Sequence, residues 1–148
     1  PMEELVAMVG DVTKGKQVFF SEDHAQCFRC HRVGDEGKEV GPNLTVIGQK
    51  FGREGILESI LYPSAAISHE YEVWIVETEW EGYLSGFIVQ EDDETLQLMD
   101  ATGTVKNLKQ SDIIDKRKSA TSLMPTGLAA AMTAQDLSDL VAYLTSLK

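Results

Sequence analysis

The 148-residue chain is short of the groups that announce many functions. Cations are scarce: 13 Lys and Arg stand against 24 Asp and Glu, for a formal net charge of −11. Nucleic-acid binding needs clustered cations to displace counterions, so no nucleic-acid partner is expected. Lys116-Arg117-Lys118 is too short a run to change that. No apolar run approaches the roughly 18–20 residues a helix needs to span a bilayer, so no membrane span is expected. There are three histidines, His24, His31 and His69, and no second cysteine pair, so a closed zinc site is short of ligands. The start, Pro1-Met2-Glu3-Glu4, lacks the basic and apolar regions of a secretory leader. A proline ahead of the first methionine reads as a processed or excised fragment. Internal repeats and low-complexity tracts are missing as well.

What the chain does have is enough apolar material for a core, 43% hydrophobic residues, and three segments of different character. In 1–67, Asp11 or Thr13 is placed to cap a helix carrying Gly15, Val18 and Phe19. A Gly-rich stretch without helical period follows from Gly34 to Leu44. Ile56, Leu57, Ile60 and Leu61 then form the stripe of an amphipathic helix that Pro63 ends. In 68–119 the period changes to two. Strands are expected over 71–76, 83–90 and 95–99, then around Val105 and Leu108, with a short one at Ile113-Ile114. Glu81-Gly82, Glu91 to Glu94 and Thr102-Gly103 supply the turns. Such strands predict a small antiparallel barrel or sheet. Its aromatics, Tyr71, Trp74, Trp80, Tyr83 and Phe87, are expected mostly in its core. In 120–148, Thr133 and Asp136 have the spacing of a capping box before a helix buried through Leu137, Leu140, Val141, Leu144 and Leu147. The expected fold is therefore mainly α, with 68–119 inserted as a β module.

The two cysteines lie in Cys27-Phe28-Arg29-Cys30-His31. Cys-x-x-Cys-His is a haem c attachment pattern. Thiols at i and i+3 reach the two vinyl groups on one edge of a porphyrin. The adjacent histidine then falls under the iron, where a ring nitrogen can bind it. Zinc binding, a redox dithiol and a plain disulfide compete for the same cysteines. The last gives no role to His31, and the dithiol lacks its usual βαβ setting.

The order of amphipathic helix, Cys-x-x-Cys-His, Gly41-Pro42-Asn43-Leu44, helix, Met124-Pro125 loop and final helix resembles class I c-type cytochromes. That resemblance implies a class I cytochrome c fold with one covalent haem c. It implies that the Pro42 carbonyl orients the His31 ring, and that a methionine is the sixth iron ligand. Of the five methionines, Met2 and Met8 precede the first helix, Met99 falls in a strand, and Met132 sits at the last helix cap. Met124 is left. The resemblance further implies that Gly15 and Phe19 meet Leu140 and Tyr143 where the first and last helices cross. Phe28, Leu44, Ile47, Ile60 and Leu128 are candidates for the haem pocket.

From Gly15-Lys16 through Pro63-Ser64 and the β segment to Met124-Pro125-Thr126-Gly127-Leu128, the chain looks like a narrower group. These are the haem-binding domains at the C-termini of large planctomycete and verrucomicrobial proteins. The implied role is electron transfer within a larger redox protein, to a partner protein or an attached dehydrogenase domain, in the periplasm or another extracytoplasmic space. The metal ligands would be His31 and Met124. No catalytic residue is expected, so the chain reads as an electron carrier and not an enzyme. The alternatives are a haem-based gas sensor and a haem-stabilised interaction module.

Overall fold

Asp11 is extended, with φ −105° and ψ 119°, and its carboxylate accepts the Lys14 N–H at 2.9 Å. This satisfies one of the donors that every helix start leaves open. The computed structural model describes all 148 residues, in two compact units: Pro1–Ala65 with Pro125–Lys148, and Ala66–Met124.

The first unit carries five helices: α1 (Met2–Ala7), α2 (Val12–Phe19), α3 (Ile47–Lys50), α4 (Arg53–Leu61) and α5 (Ala134–Ser146). Its core is built by α2, α4 and α5 through Phe19, Leu57, Leu140 and Val141, all 1% exposed or less. The crossing of α2 and α5 is close because α2 offers a glycine there. A Cβ on Gly15 would run into the Asp139 carbonyl and lie 2.7 Å from the Tyr143 Cβ. Asp139 is buried and its carboxylate accepts the Asp11 N–H and Gln135 Nε2, each at 2.8 Å. The α5 start is a capping box: Thr133 Oγ1 accepts the Asp136 N–H at 3.0 Å, and Asp136 Oδ2 accepts the Thr133 N–H at 2.9 Å. Helix α1 has no counterpart in the periodicity. It is held from outside, by the Arg53 guanidinium on the carbonyls of Val6 (3.1 Å), Leu5 (3.4 Å) and Met8 (3.0 Å). A cation there meets the carbonyls that a helix end leaves unpaired.

Between α2 and α3 the chain has little regular structure. A single 3-10 turn (Cys27–Arg29) is followed by two short strands, β1 (Arg32–Val33) and β2 (Glu36–Gly37), which pair antiparallel.

The second unit is a five-stranded antiparallel sheet. Its strands are β3 (Val73–Thr78), β4 (Gly82–Glu91), β5 (Thr95–Met99), β6 (Val105–Lys109) and β7 (Ile113–Ser119), in the spatial order β6-β5-β4-β3-β7. Alternation puts Val76, Leu96, Leu98 and Leu108 into one cluster, with Trp74, Leu84, Ile88 and Ile113 packed against it. The turn into β4 uses Gly82 at φ +70°, where a side chain would be strained.

These elements correct the expectation of a mainly α fold. The chain is 36% helix and 25% strand, with five helices and a five-stranded sheet, so it is a mixed α and β protein. The reason is local. Most helices are short, α1 and α3 having 6 and 4 residues, while β4 and β7 run to 10 and 7. The aromatics of the sheet divide too. Phe87 is buried with Tyr71 edge-on to it at 5.5 Å, but Trp80 and Tyr83 are 78% and 64% exposed. The cations of β7 are engaged with neighbouring carboxylates, Lys116 with Glu91 at 2.9 Å and Lys118 with Glu72 at 3.1 Å.

Candidate functional site

The Cys27–Arg29 turn begins under backbone strain. Gln26 stands at φ 55° and is the one non-glycine residue with positive φ. From there the chain coils tightly: the Cys30 and His31 N–H groups both donate to the Cys27 carbonyl, at 3.2 and 2.9 Å. The two cysteines and His31 are thereby set within one turn. Both cysteines are free thiols. Burial pushes the Cys27 thiol up to about 11 and raises that of Cys30 as well, with Lys38 opposing the latter. Both therefore stay protonated near neutral pH.

The segment after β2 folds back around this turn and pairs with it through the backbone. Lys38 N–H donates to the Phe28 carbonyl at 3.1 Å. Val40 and Gly41 N–H both donate to the Cys30 carbonyl, at 2.9 and 2.7 Å. Gly37, at φ +93°, lies so close that a Cβ would collide with the His31 carbonyl. The Pro42 carbonyl then comes to 2.8 Å from His31 Nδ1. A carbonyl can only accept, so Nδ1 carries the proton. Burial lowers the His31 pKa from its ordinary value, against a smaller opposing effect of the Pro42 bond. The ring is thus held neutral, with the Nε2 lone pair free to bind a metal.

Packing ties this turn to the helical core. Phe28 lies 6.4 Å from Phe20, Phe20 lies 4.8 Å from Phe19 at a steep angle, and Phe19 lies 5.9 Å from Tyr143. Of the other pocket candidates, Leu44 and Ile47 are half-buried, Ile60 is buried on α4, and Leu128 is half-buried in a 3-10 turn (Leu128–Ala131).

The structure therefore brings Cys27, Cys30, His31 and Pro42 together. Met124 is the last residue of the second unit; it is half-buried, and its N–H donates to Ser122 Oγ at 3.1 Å. His24 Nε2 lies 3.6 Å from Asp136 Oδ2, and His69 is 93% exposed beside Glu72. No group of three or more His, Cys, Asp or Glu is placed to hold a metal ion.

Residues 12–93 match the Cytochrome c family model, and 82 of 148 residues is more than half the chain. The chain belongs to the cytochrome c family. The matched stretch includes Cys27, Cys30, His31 and Pro42 and ends before Met124. No curated protein matches the sequence. Cytochromes c bind haem, typically covalently, and generally carry electrons to redox partners without being enzymes. They are typically extracytoplasmic, and no helix of this cytochrome is long and apolar enough to cross a membrane. The donor set fits the group: two unpaired thiols three residues apart, and a neutral imidazole whose second nitrogen is already bonded.

Gly37, which no motif singles out, and Gly41 lack side chains, and this lets the returning backbone lie against His31. Gly41 is the first residue of the Gly-Pro-x-Leu pattern, which marks its position but not its contact with the ring.

Proposed function

We propose that the chain is a monohaem electron-transfer module in which Cys27 and Cys30 hold the haem and His31 and Met124 are the axial ligands. The bond from His31 Nδ1 to the Pro42 carbonyl carries the reading, because it fixes the proton on one nitrogen and leaves the other as a ligand. That bond also raises the basicity of the ligating nitrogen and sets the ring's direction.

Each cysteine forms a thioether by adding its S–H across a vinyl group, sulfur to one carbon and hydrogen to the other, with no oxidant required. When bound, the haem supplies a ferric/ferrous couple. The chain's own work is to hold the ligands, exclude water and resist rearrangement when the charge changes. The backbone bonds from Lys38, Val40 and Gly41 do the last of these. Met124 stands in a loop before α5, where the resemblance to class I cytochromes implies the sixth ligand. A thioether there favours reduced iron and closes the remaining coordination position.

The likeness to the planctomycete and verrucomicrobial haem domains supports a parent with an attached dehydrogenase domain, and haem c maturation supports an extracytoplasmic site. The spectrum of the matured protein tests the ligand set. A sulfur-to-iron band in the near infrared that disappears in Met124→Ala, with carbon monoxide binding only after that substitution, is expected. Prompt carbon monoxide binding by the unmodified reduced protein would favour the gas sensor and overturn His/Met ligation.

A further inference from the structure

We infer that Gly41 is a positioning residue for the axial imidazole: its backbone lies against the His31 ring and, with the Pro42 carbonyl, fixes the direction in which the ring plane points. This rests on the reading that His31 binds the iron of a haem held at Cys27 and Cys30.

A Cβ built on Gly41 would stand 2.8 Å from His31 Cε1, 3.2 Å from Nδ1 and 3.3 Å from Nε2. Those three atoms make up the edge of the ring that carries both nitrogens. Carbon–carbon contacts are favourable only at about 3.5–4.0 Å, so a methyl group does not fit beside the ring as it stands. Conformation is not the reason for the glycine, since Gly41 is absent from the positive-φ positions. Gly34 in the same loop provides the contrast: it takes φ +59°, and a Cβ there meets nothing within 4 Å.

The two partners cannot simply move apart. The Gly41 N–H is bonded to the Cys30 carbonyl at 2.7 Å, one residue before His31. The carbonyl of the following residue, Pro42, accepts from Nδ1 at 2.8 Å. Gly41 and Pro42 thus hold the ring by a face contact and an edge bond from a single stretch of backbone. A lone imidazole would swing away from an added methyl at little cost. A ring tied at Nε2 to iron and at Nδ1 to Pro42 must turn its plane or lengthen the Nδ1 bond. Turning the plane changes which iron d orbitals the ring overlaps, and the ferric signal reports this directly.

The test compares wild type, Gly41→Ala and Gly34→Ala, each matured with haem and checked by intact mass. Gly41→Ala is expected to stay low-spin while its ferric electron paramagnetic resonance g values and His31 ring-proton resonances shift. Gly34→Ala is expected to lose thermal stability and keep the wild-type values of both. Wild-type g values and ring resonances in Gly41→Ala would overturn the inference and leave the haem reading standing. Should Gly41→Ala not mature, the reduced wild type decides the matter. A nuclear Overhauser contact between the Gly41 α protons and His31 Hε1 supports the inference, and its absence overturns it. A wild-type chain without tetrapyrrole mass would remove the haem reading and the inference together.

Discussion

In the unit of residues 66–124, Val76 and Leu96 are completely buried and the strands around them pair along their lengths. Around the Cys-x-x-Cys-His turn the pattern is reversed: Val40 is the one core hydrophobic residue between residues 21 and 46. There the backbone is held by isolated bonds and by glycines that let strands of chain touch. One region is specified by alternating apolar residues, which need only water to sort them. The other is specified by chemistry-bearing residues and has little core of its own. A region of the second kind depends on what it binds, because binding the native form alone adds directly to stability.

Removing the haem should sharpen that contrast most. In Cys27→Ala/Cys30→Ala, amide hydrogen exchange is expected to speed up strongly across 21–46 while β3 to β5 keep their protection. Equal protection in the two regions would erase the distinction. Paired core truncations come next. Leu140→Ala and Leu96→Ala each remove a fully buried side chain and should each cost about 2–5 kcal/mol. Leu140→Ala is expected to shift the haem bands, since α5 packs on the helix that leads to the attachment turn. Leu96→Ala is expected to leave them alone, and a shift in both variants would count against separate cores. The smallest effect concerns the α5 cap. Thr133→Ala should cost about 1 kcal/mol, read as a lower melting temperature. The Asp136 carboxyl is held below its ordinary 3.8, first by the Thr133 N–H. Its stabilisation is therefore complete above 3.8 and is lost as pH falls through the lower folded value. Asp136→Asn should flatten the acid limb of the melting curve over that window.

Legibility followed the same divide. The turns at Gly82 and Gly103 and the capping box at Thr133 and Asp136 are readable, since each rests on a local rule; the first cap narrows to Asp11 or Thr13, and the structure gives it to Asp11. The strand from Ile113 was expected to be short, yet it runs seven residues because Asp115 to Lys118 pair with β3 despite their charge. Their ion pairs and the stacking of Lys116 and Lys118 on Trp74, at 5.3 and 5.6 Å, offset that charge. Helix α1 is not legible because its partner, Arg53, lies 45 residues on; the β1–β2 pair is not legible because two residues a side are too few to show a period. The balance of classes departs from the expected mainly α fold because α1 and α3 have only 6 and 4 residues while β4 and β7 run to 10 and 7.

All of this depends on Cys27 and Cys30 carrying one haem whose iron is bound by His31. Intact-mass measurement of the chain, expressed with haem c maturation machinery, tests it most directly. The expected result is the mass of the polypeptide plus a single tetrapyrrole, retained under denaturing conditions and lost in Cys27→Ala/Cys30→Ala. A colourless polypeptide of unmodified mass from that same host would contradict it.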